Sequence, residues 1–253
     1  MKKNHFISII MVLTVLPGLL VSCQKIHDHV ETHPGAEIKP CGISRFICNE
    51  LYGTYIDTLS VSYNAAGDPI RITRPDPRTG APNFLFKYKN GRLSEFIGVY
   101  HNGTTTENWH RYFYDGAGRV MLDSVYIFAE ISNDKPTDPF LTYSTTYLYD
   151  SRDRIIRLTN NYPEGSTYVE EYQYDANGNR VGGTYGHEVS FRRSNRIWMF
   201  LDRDYSVNDR AVSTDFNAFH LPRKIDLGSA SSDVFLGSYF NQATISYLCD
   251  ARY

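Results

Sequence analysis

Acid–base or metal chemistry needs titratable side chains at defined separations, and several sets along this 253-residue chain have the right types. Glu170-Glu171, Glu188 and the pair Asp202/Asp204 offer carboxylates that could act as acid and base on a glycosidic bond. His27, Asp28, His29, Glu31 and His33 are ligand types that suit zinc or copper. Sequence fixes the geometry of neither set. Carboxylates become a site only at a set separation, and the histidine cluster lies in a polar segment that the metal itself would have to order. The remaining histidines, His101, His110, His187 and His220, are scattered. There is no Gly-x-Ser-x-Gly elbow, no phosphate-cradling glycine loop and no His-Glu-x-x-His. The expectation is therefore no enzymatic activity, no cofactor and no bound metal.

What would position such residues is a recurring turn. Tyr114-Asp115-Gly116-Ala117-Gly118-Arg119-Val120 places a tyrosine and aspartate before a turn that closes on glycine, then an arginine and an apolar residue. Tyr149 to Ile155 and Tyr174 to Val181 are near copies, and the stretches starting at Tyr63 and Tyr88 are looser ones. A short hairpin with a type I turn and bulge needs a residue at positive φ four after the aromatic. Gly67, Gly118, Asp153 and Gly178 stand there, and the same register puts Asn195 after Phe191 and His220 after Phe216. Glycine takes that conformation freely, and Asn, Asp and His are the enriched exceptions. The unit at Tyr88 is one residue shorter, with Asn90-Gly91 as a two-residue hairpin signal and Gly91 as its turn position.

The aromatic anchors 63, 88, 114, 149, 174, 191 and 216 are spaced by 25, 26, 35, 25, 17 and 25 residues, which suits two strands and two turns per unit. Alternating runs such as Leu59-Ser60-Val61-Ser62-Tyr63 carry the strand period, and no comparable helical stretch follows the leader. Twenty Tyr and 14 Phe against two Trp match the aromatic bias of pleated surfaces. These features predict an all-β, antiparallel meander of about seven hairpins in one twisted, elongated or partly curled sheet. Within it, Asp115, Asp150 and Asp175 are turn formers. Arg92, Arg119, Arg154, Arg180 and Arg196 could pair with carboxylates or cover tyrosine faces. The paired tyrosines Tyr112/Tyr114, Tyr147/Tyr149 and Tyr172/Tyr174 each share a strand face and read as an aromatic ladder, or as a sugar-binding platform.

The Tyr-Asp units resemble the YD repeats of Rhs proteins and teneurins, and the layout resembles short YD-repeat lipoproteins of Gram-negative bacteria. The resemblance covers roughly Leu59 to Ile225. In the large relatives many such hairpins form a closed shell around a toxin or peptide, and seven are too few for that. The resemblance therefore implies the hairpin fold and an envelope setting without encapsulation.

Residues 1–22 read as a signal peptide, with basic Lys2 and Lys3, an apolar stretch from Phe6 to Val21 and the small residue Ser22. Leu20-Val21-Ser22-Cys23 resembles the bacterial lipobox, which implies acylation of Cys23 as the first mature residue and anchoring in the membrane by lipid. Gln24, rather than Asp, after that cysteine implies the outer membrane, with the periplasmic or cell-surface face left open. Residues 23–40 are polar and aperiodic and read as a tether, and 41–253 as the β domain.

A net charge of −2 with dispersed basic residues argues against nucleic-acid binding, which needs a concentrated positive face. Of Cys41, Cys48 and Cys249, either of the first two could bridge to the third and clip the ends of the array, or all three could stay reduced. Two excursions break the regularity: a connector from Arg74 to Pro82, and a polar loop from Ser132 to Pro139 that extends its hairpin and is the loop best placed to reach a partner. The functional expectation is a non-enzymatic, lipid-anchored envelope protein that binds or scaffolds another macromolecule, with surface glycan binding as the alternative and a hydrolase a distant third.

Overall fold

The structure is a computed structural model that describes residues 36–49, 56–101, 103–210, 213, 215–229 and 231–250. Residues 1–22, read above as a signal peptide, Cys23 and the cluster from His27 to His33 lie outside the described residues. The strands are β1 (Ile43–Asn49), β2 (Ile56–Tyr63), β3 (Pro69–Thr73), β4 (Asn83–Lys89), β5 (Arg92–Val99), β6 (Thr106–Tyr114), β7 (Val120–Ile127), β8 (Glu130–Ser132), β9 (Lys135–Thr137), β10 (Leu141–Tyr149), β11 (Ile155–Asn161) and β12 (Thr167–Glu171). After the helix α1 (Arg196–Asp202) come β13 (Lys224–Asp226), β14 (Asp233–Phe235), β15 (Ser238–Phe240) and β16 (Gln242–Tyr247). Twelve strands form one antiparallel sheet in the order β12-β11-β10-β7-β6-β5-β4-β3-β2-β1-β16-β13, which does not close into a barrel. The chain is therefore an all-β meander, until β16 returns to pair with β1, the first described strand.

One hydrogen-bond pattern recurs at the turns. The Asp115 N–H donates to the Arg119 carbonyl, the Gly118 N–H donates back to the Asp115 carbonyl, and Asp115 Oδ1 accepts from the Arg119 N–H. The same three bonds close the turns headed by Asn64, Asp150, Asp175 and Asn217. In each the fourth residue has positive φ: 80° at Gly67, 85° at Gly118, 57° at Asp153, 83° at Gly178 and 59° at His220. Asn90 and Gly91, at 53° and 72°, make the two-residue turn between β4 and β5. The turns after Tyr174 and Phe216 close only isolated bridges, to Arg180 and Pro222, and add no pair of strands to the sheet.

The sixth unit, anchored at Phe191, departs from expectation. Asn195 has φ of −161°, in the extended region, and caps α1 by accepting the Ile197 N–H at 2.9 Å. Asparagine is favoured both at left-handed turns and at helix N-caps, and the apolar run Ile197-Trp198-Met199 decides in favour of a buried helix. The expectation of no helix after the leader is corrected by α1 and by the 3-10 turn Phe191–Ser194 before it. This segment packs on one face of the sheet, where Trp198 meets Phe86 and Phe235, and Phe46 contacts Phe191, Phe235 and Phe240.

Neighbouring turns are tied together by tyrosines. The Tyr88 hydroxyl donates to Pro69, Tyr114 to Leu93 and Tyr149 to Val120, at 2.7, 2.6 and 2.9 Å, so each reaches the carbonyl two residues past the preceding turn position. Tyr247 makes the same bond to Pro222, past His220, at 2.8 Å. Arginines of one turn cover tyrosines of the next: Arg92 over Tyr114, Arg119 over Tyr149 and Arg154 over Tyr174. Arg119 and Arg154 also pair with the aspartates of their own turns.

Two further features differ from the simple reading, and a third chooses between the cysteine pairings that the sequence left open. The Ser132 to Pro139 excursion is not an irregular projecting loop: β8 and β9 form a second hairpin, tethered to the sheet by a 2.8 Å ion pair from Lys87 to Asp134, with Ile131 packed on Trp109 and its neighbours. The packed domain also takes in residues before Cys41, because Ile38 is buried and donates its N–H to the Arg193 carbonyl. Cys41 is bonded to Cys249 across 208 residues, and buried Cys48 stands outside that bond.

Two consequences can be measured. A Cβ at Gly118 would be at positive φ and 3.0 Å from the Arg92 guanidinium, whereas one at Gly116 meets open space. Gly118→Val should therefore cost about 1–3 kcal/mol in denaturant unfolding and Gly116→Ala little; equal costs would contradict the turn assignment. Cys249→Ser should cost up to about 5 kcal/mol on the loop-entropy account, and an unchanged unfolding midpoint would show that noncovalent packing alone holds the ends.

Candidate functional site

The sheet face that packs on α1 also holds a cleft of about 340 Å³. In the register of β5, β6 and β7, Phe96 stands opposite His110 and Tyr112 opposite Asp123. Since alternate residues of a strand share a face, His110 and Tyr112 project together toward the helix. His110 Nδ1 lies 2.7 Å from Asp123 Oδ2, and the Tyr147 hydroxyl on the neighbouring β10 donates to the same oxygen at 3.4 Å. Asp123 is almost fully buried, and its Oδ1 has no hydrogen-bond partner among the described residues. Phe96 and Tyr112 flank the imidazole, while Phe200 of α1 meets Tyr112 edge-on and leans on Tyr147.

The other walls are polar. Glu107 accepts the Gly80 N–H at 2.8 Å and the Tyr100 hydroxyl at 3.0 Å, and Asn108 accepts the Gly98 N–H. Arg203 ends α1 in the left-handed region with φ of 55°, where glycine is the ordinary occupant. No carboxylate among the described residues is within ion-pair distance of it. Burial, then the Asp123 charge, pushes the Tyr112 and Tyr147 hydroxyls well above the ordinary phenol range, so both are neutral donors near neutral pH. Tyr239 on β15 lies at the rim, half exposed.

The carboxylates singled out in the sequence are not gathered into one reactive pair. Glu170 accepts the Tyr172 hydroxyl, Glu171 pairs with Arg157 and Glu188 accepts the neighbouring His187 N–H. Asp202 lines the cleft but is bound to Arg192 at 2.8 Å, and Arg192 also holds Asp233 at 3.0 Å. Burial pushes Asp202 up to about 6 against the pull of Arg192. Burial also acts on Asp204, but Arg192 and Ser206 hold it below its ordinary value. Of the turn positions, Gly67, Gly91, Gly118, Asp153, Gly178 and His220 lie outside the cleft. The pairing of His110 with Asp123 is the feature missed in the sequence. Its signal was a histidine two residues before Tyr112 and an aspartate two before Val125, polar interruptions on a face otherwise apolar.

No protein family matches the chain, and no curated protein matches it. Solved structures do, among them one titled as the crystal structure of TcdB2-TccC3-Cdc42 and another as that of TcdB2-TccC3-TEV. Each is 17% identical over 51% of this chain and 8% of the other, with TM-scores of 0.25 and 0.24. At those TM-scores the likeness is local, and the fold and the site stand on this chain's own geometry.

Asp209, beside the Arg192 network, offers a pH test. It is buried, accepts the Phe191 and Arg210 N–H groups and has no cation within ion-pair distance among the described residues. Burial, then Asp233, pushes its carboxyl up to about 6. The folded state therefore binds that proton more tightly than the unfolded chain, and the contribution is full below about pH 4 and lost as pH rises through 6. Asp209→Asn should accordingly cost more stability at pH 4 than at pH 7 in urea unfolding; an equal cost at both would mean that Asp209 titrates as an ordinary carboxylate.

Proposed function

We propose that this chain is a non-enzymatic, YD-repeat-like lipoprotein of the Gram-negative envelope, anchored through Cys23 in the outer membrane, that binds another macromolecule at the cleft around His110. The ligand its lining fits best is the end of a glycan. The observation that carries this reading is the pairing of ring faces with polar edges in one opening. Phe96, Tyr112, Phe200 and Tyr239 offer surfaces for the apolar face of a sugar ring, while Asn108, His110 and Arg203 offer groups for hydroxyls. At about 340 Å³ the cleft is near the lower end of small-ligand pockets, sized for a terminus rather than a long segment.

A binding role is favoured over hydrolysis because the carboxylates of the cleft are already engaged: Asp123 by His110, Asp202 by Arg192 and Glu107 by the Gly80 N–H. A carboxylate fixed in this way orients neighbours and is poorly free to exchange protons with a substrate.

The test is a glycan array probed with the mature chain, followed by Tyr239→Ala. That residue is half exposed, so the substitution should leave the melting temperature unchanged while weakening binding roughly tenfold, about 1.4 kcal/mol. Failure to bind any glycan, with protein partners recovered by crosslinking on intact cells, would replace the glycan by a protein ligand. Cys23→Ala should release the chain from membranes, and persistent membrane fractionation would contradict the anchor.

A further inference from the structure

A second concavity lies at the end of the sheet where the hairpin turns gather. It has a volume of about 390 Å³ and is separate from the His110 cleft, sharing only Phe200 with it. Three guanidinium groups, those of Arg92, Arg119 and Arg196, line it against a single carboxylate, Asp153. Arg119 is paired with Asp115 at 2.9 Å and with Asp153 at 3.4 Å. Arg92 and Arg196 are exposed, and no carboxylate among the described residues is within ion-pair distance of either. Arg92 instead lies over the Tyr114 ring, 5.3 Å from its centre. With Asp115 and Asp153 both on Arg119, the guanidinium groups of Arg92, Arg119 and Arg196 leave the groove formally positive by one charge, three cations less two anions, in a chain whose net charge is −2. Leu93, Val120 and the rings of Tyr114 and Tyr149 give it an apolar floor, a combination that matches an anion carried on an apolar body.

The path of the chain adds an independent constraint. The described residues begin at Ala36, and Glu37 accepts the backbone N–H of Arg196 at 2.8 Å. Lys39 pairs with Asp68 in the first turn at 3.4 Å, and Asn195 donates to the Gly67 carbonyl. The polypeptide therefore enters the domain at the turn end, beside the groove. Only residues 24–35 separate Cys23 from that entry, a length that spans at most about 40 Å fully extended. With Cys23 acylated, the turn end cannot be far from the bilayer surface, and tethering raises the effective concentration of headgroups at the groove.

We propose that the groove between Arg92 and Arg196 docks on the phosphate headgroups of anionic lipid in the membrane to which the chain is tethered. Guanidinium groups present paired donors that match phosphate oxygens, and cations at such a surface gain from its negative potential. Docking would set the sheet upright on the membrane with its turn end down, leaving the His110 cleft on the sheet's face open from the side. The orientation rests on the lipoprotein reading; the phosphate contact itself does not.

The experiment is arginine-specific modification with phenylglyoxal, read residue by residue by mass spectrometry on the mature chain. It is run with phosphatidylglycerol vesicles, with phosphatidylcholine vesicles, and with inorganic phosphate alone. The expected result is at least fivefold slower modification of Arg92 and Arg196 on phosphatidylglycerol than on phosphatidylcholine, with exposed Arg71 on β3 unchanged as the internal reference. Arg92→Gln with Arg196→Gln should also lower partitioning of non-acylated chain onto phosphatidylglycerol vesicles several-fold. Equal protection by inorganic phosphate without vesicles would overturn membrane docking in favour of a free-anion site, and no protection in any arm would overturn the site altogether. Flotation of acylated and non-acylated chain with phosphatidylcholine vesicles scores the anchor separately, so loss of one reading leaves the other standing.

Discussion

Tyr88, Tyr114 and Tyr149 each hold a hairpin turn to the one before it, the hydroxyl donating to the carbonyl two residues past the preceding turn position. A backbone carbonyl at the end of a strand has no ladder partner, so the phenol satisfies a group that would otherwise cost free energy when the next ring covers it. Each such bond is worth only about 1 kcal/mol net, but it fixes where one hairpin sits along its neighbour. A slip by one residue would turn every side chain of a strand to the opposite face. Arg119 and Arg154, which follow two of these turns, each find the next tyrosine ring beneath them and their own turn aspartate beside them. Turn, ring and guanidinium are thus mutually dependent, and the hairpins advance in step.

That regular advance has two consequences. It aligns the turns at one end of the sheet, which brings Arg92 and Arg119 into one groove with Arg196 at the start of α1. It also directs Phe96, His110, Tyr112 and Tyr147 to the same face, where α1 cannot cover them all. The helix and the buried segment before it fill the rest of that face and carry an unusual load of buried charge. Arg192 and Arg193 are both fully buried: the first is held by Asp202 and Asp233, the second by the carbonyls of Ala36, Tyr205 and Ser206. Removing one partner from such a set leaves an uncompensated charge, so the network commits the segment to one arrangement even where its net contribution to stability is small.

The open sheet is secured at its β1 end by the return of the chain. β16 pairs with β1, Tyr247 ties to the turn of His220, and Cys41 is bonded to Cys249. The first described residues are bound into the same region through Ile38 and Arg193. The two ends of the domain therefore close on each other, and the polypeptide enters beside the aligned turns.

What the sequence determined by itself is what depends on neighbours a few residues away. A residue at positive φ, an Asx side chain that accepts the N–H four residues on, and an aromatic just before them form a local unit, so Gly67, Gly118, Asp153, Gly178 and His220 were legible, as was the meander their spacing implies. Asn195 was misread because the same residue type serves a left-handed turn and a helix cap, and the choice lay in whether Ile197 and Trp198 had a sheet to pack against. Only the tertiary structure chose Cys41 over Cys48 for Cys249, paired His110 with Asp123, folded β8 and β9 onto the sheet and left the guanidinium groups of Arg92 and Arg196 without an ion-paired carboxylate among the described residues. Each of those outcomes joins residues far apart along the chain or on different strands, and the strand register, which local propensity does not encode, sets their distances.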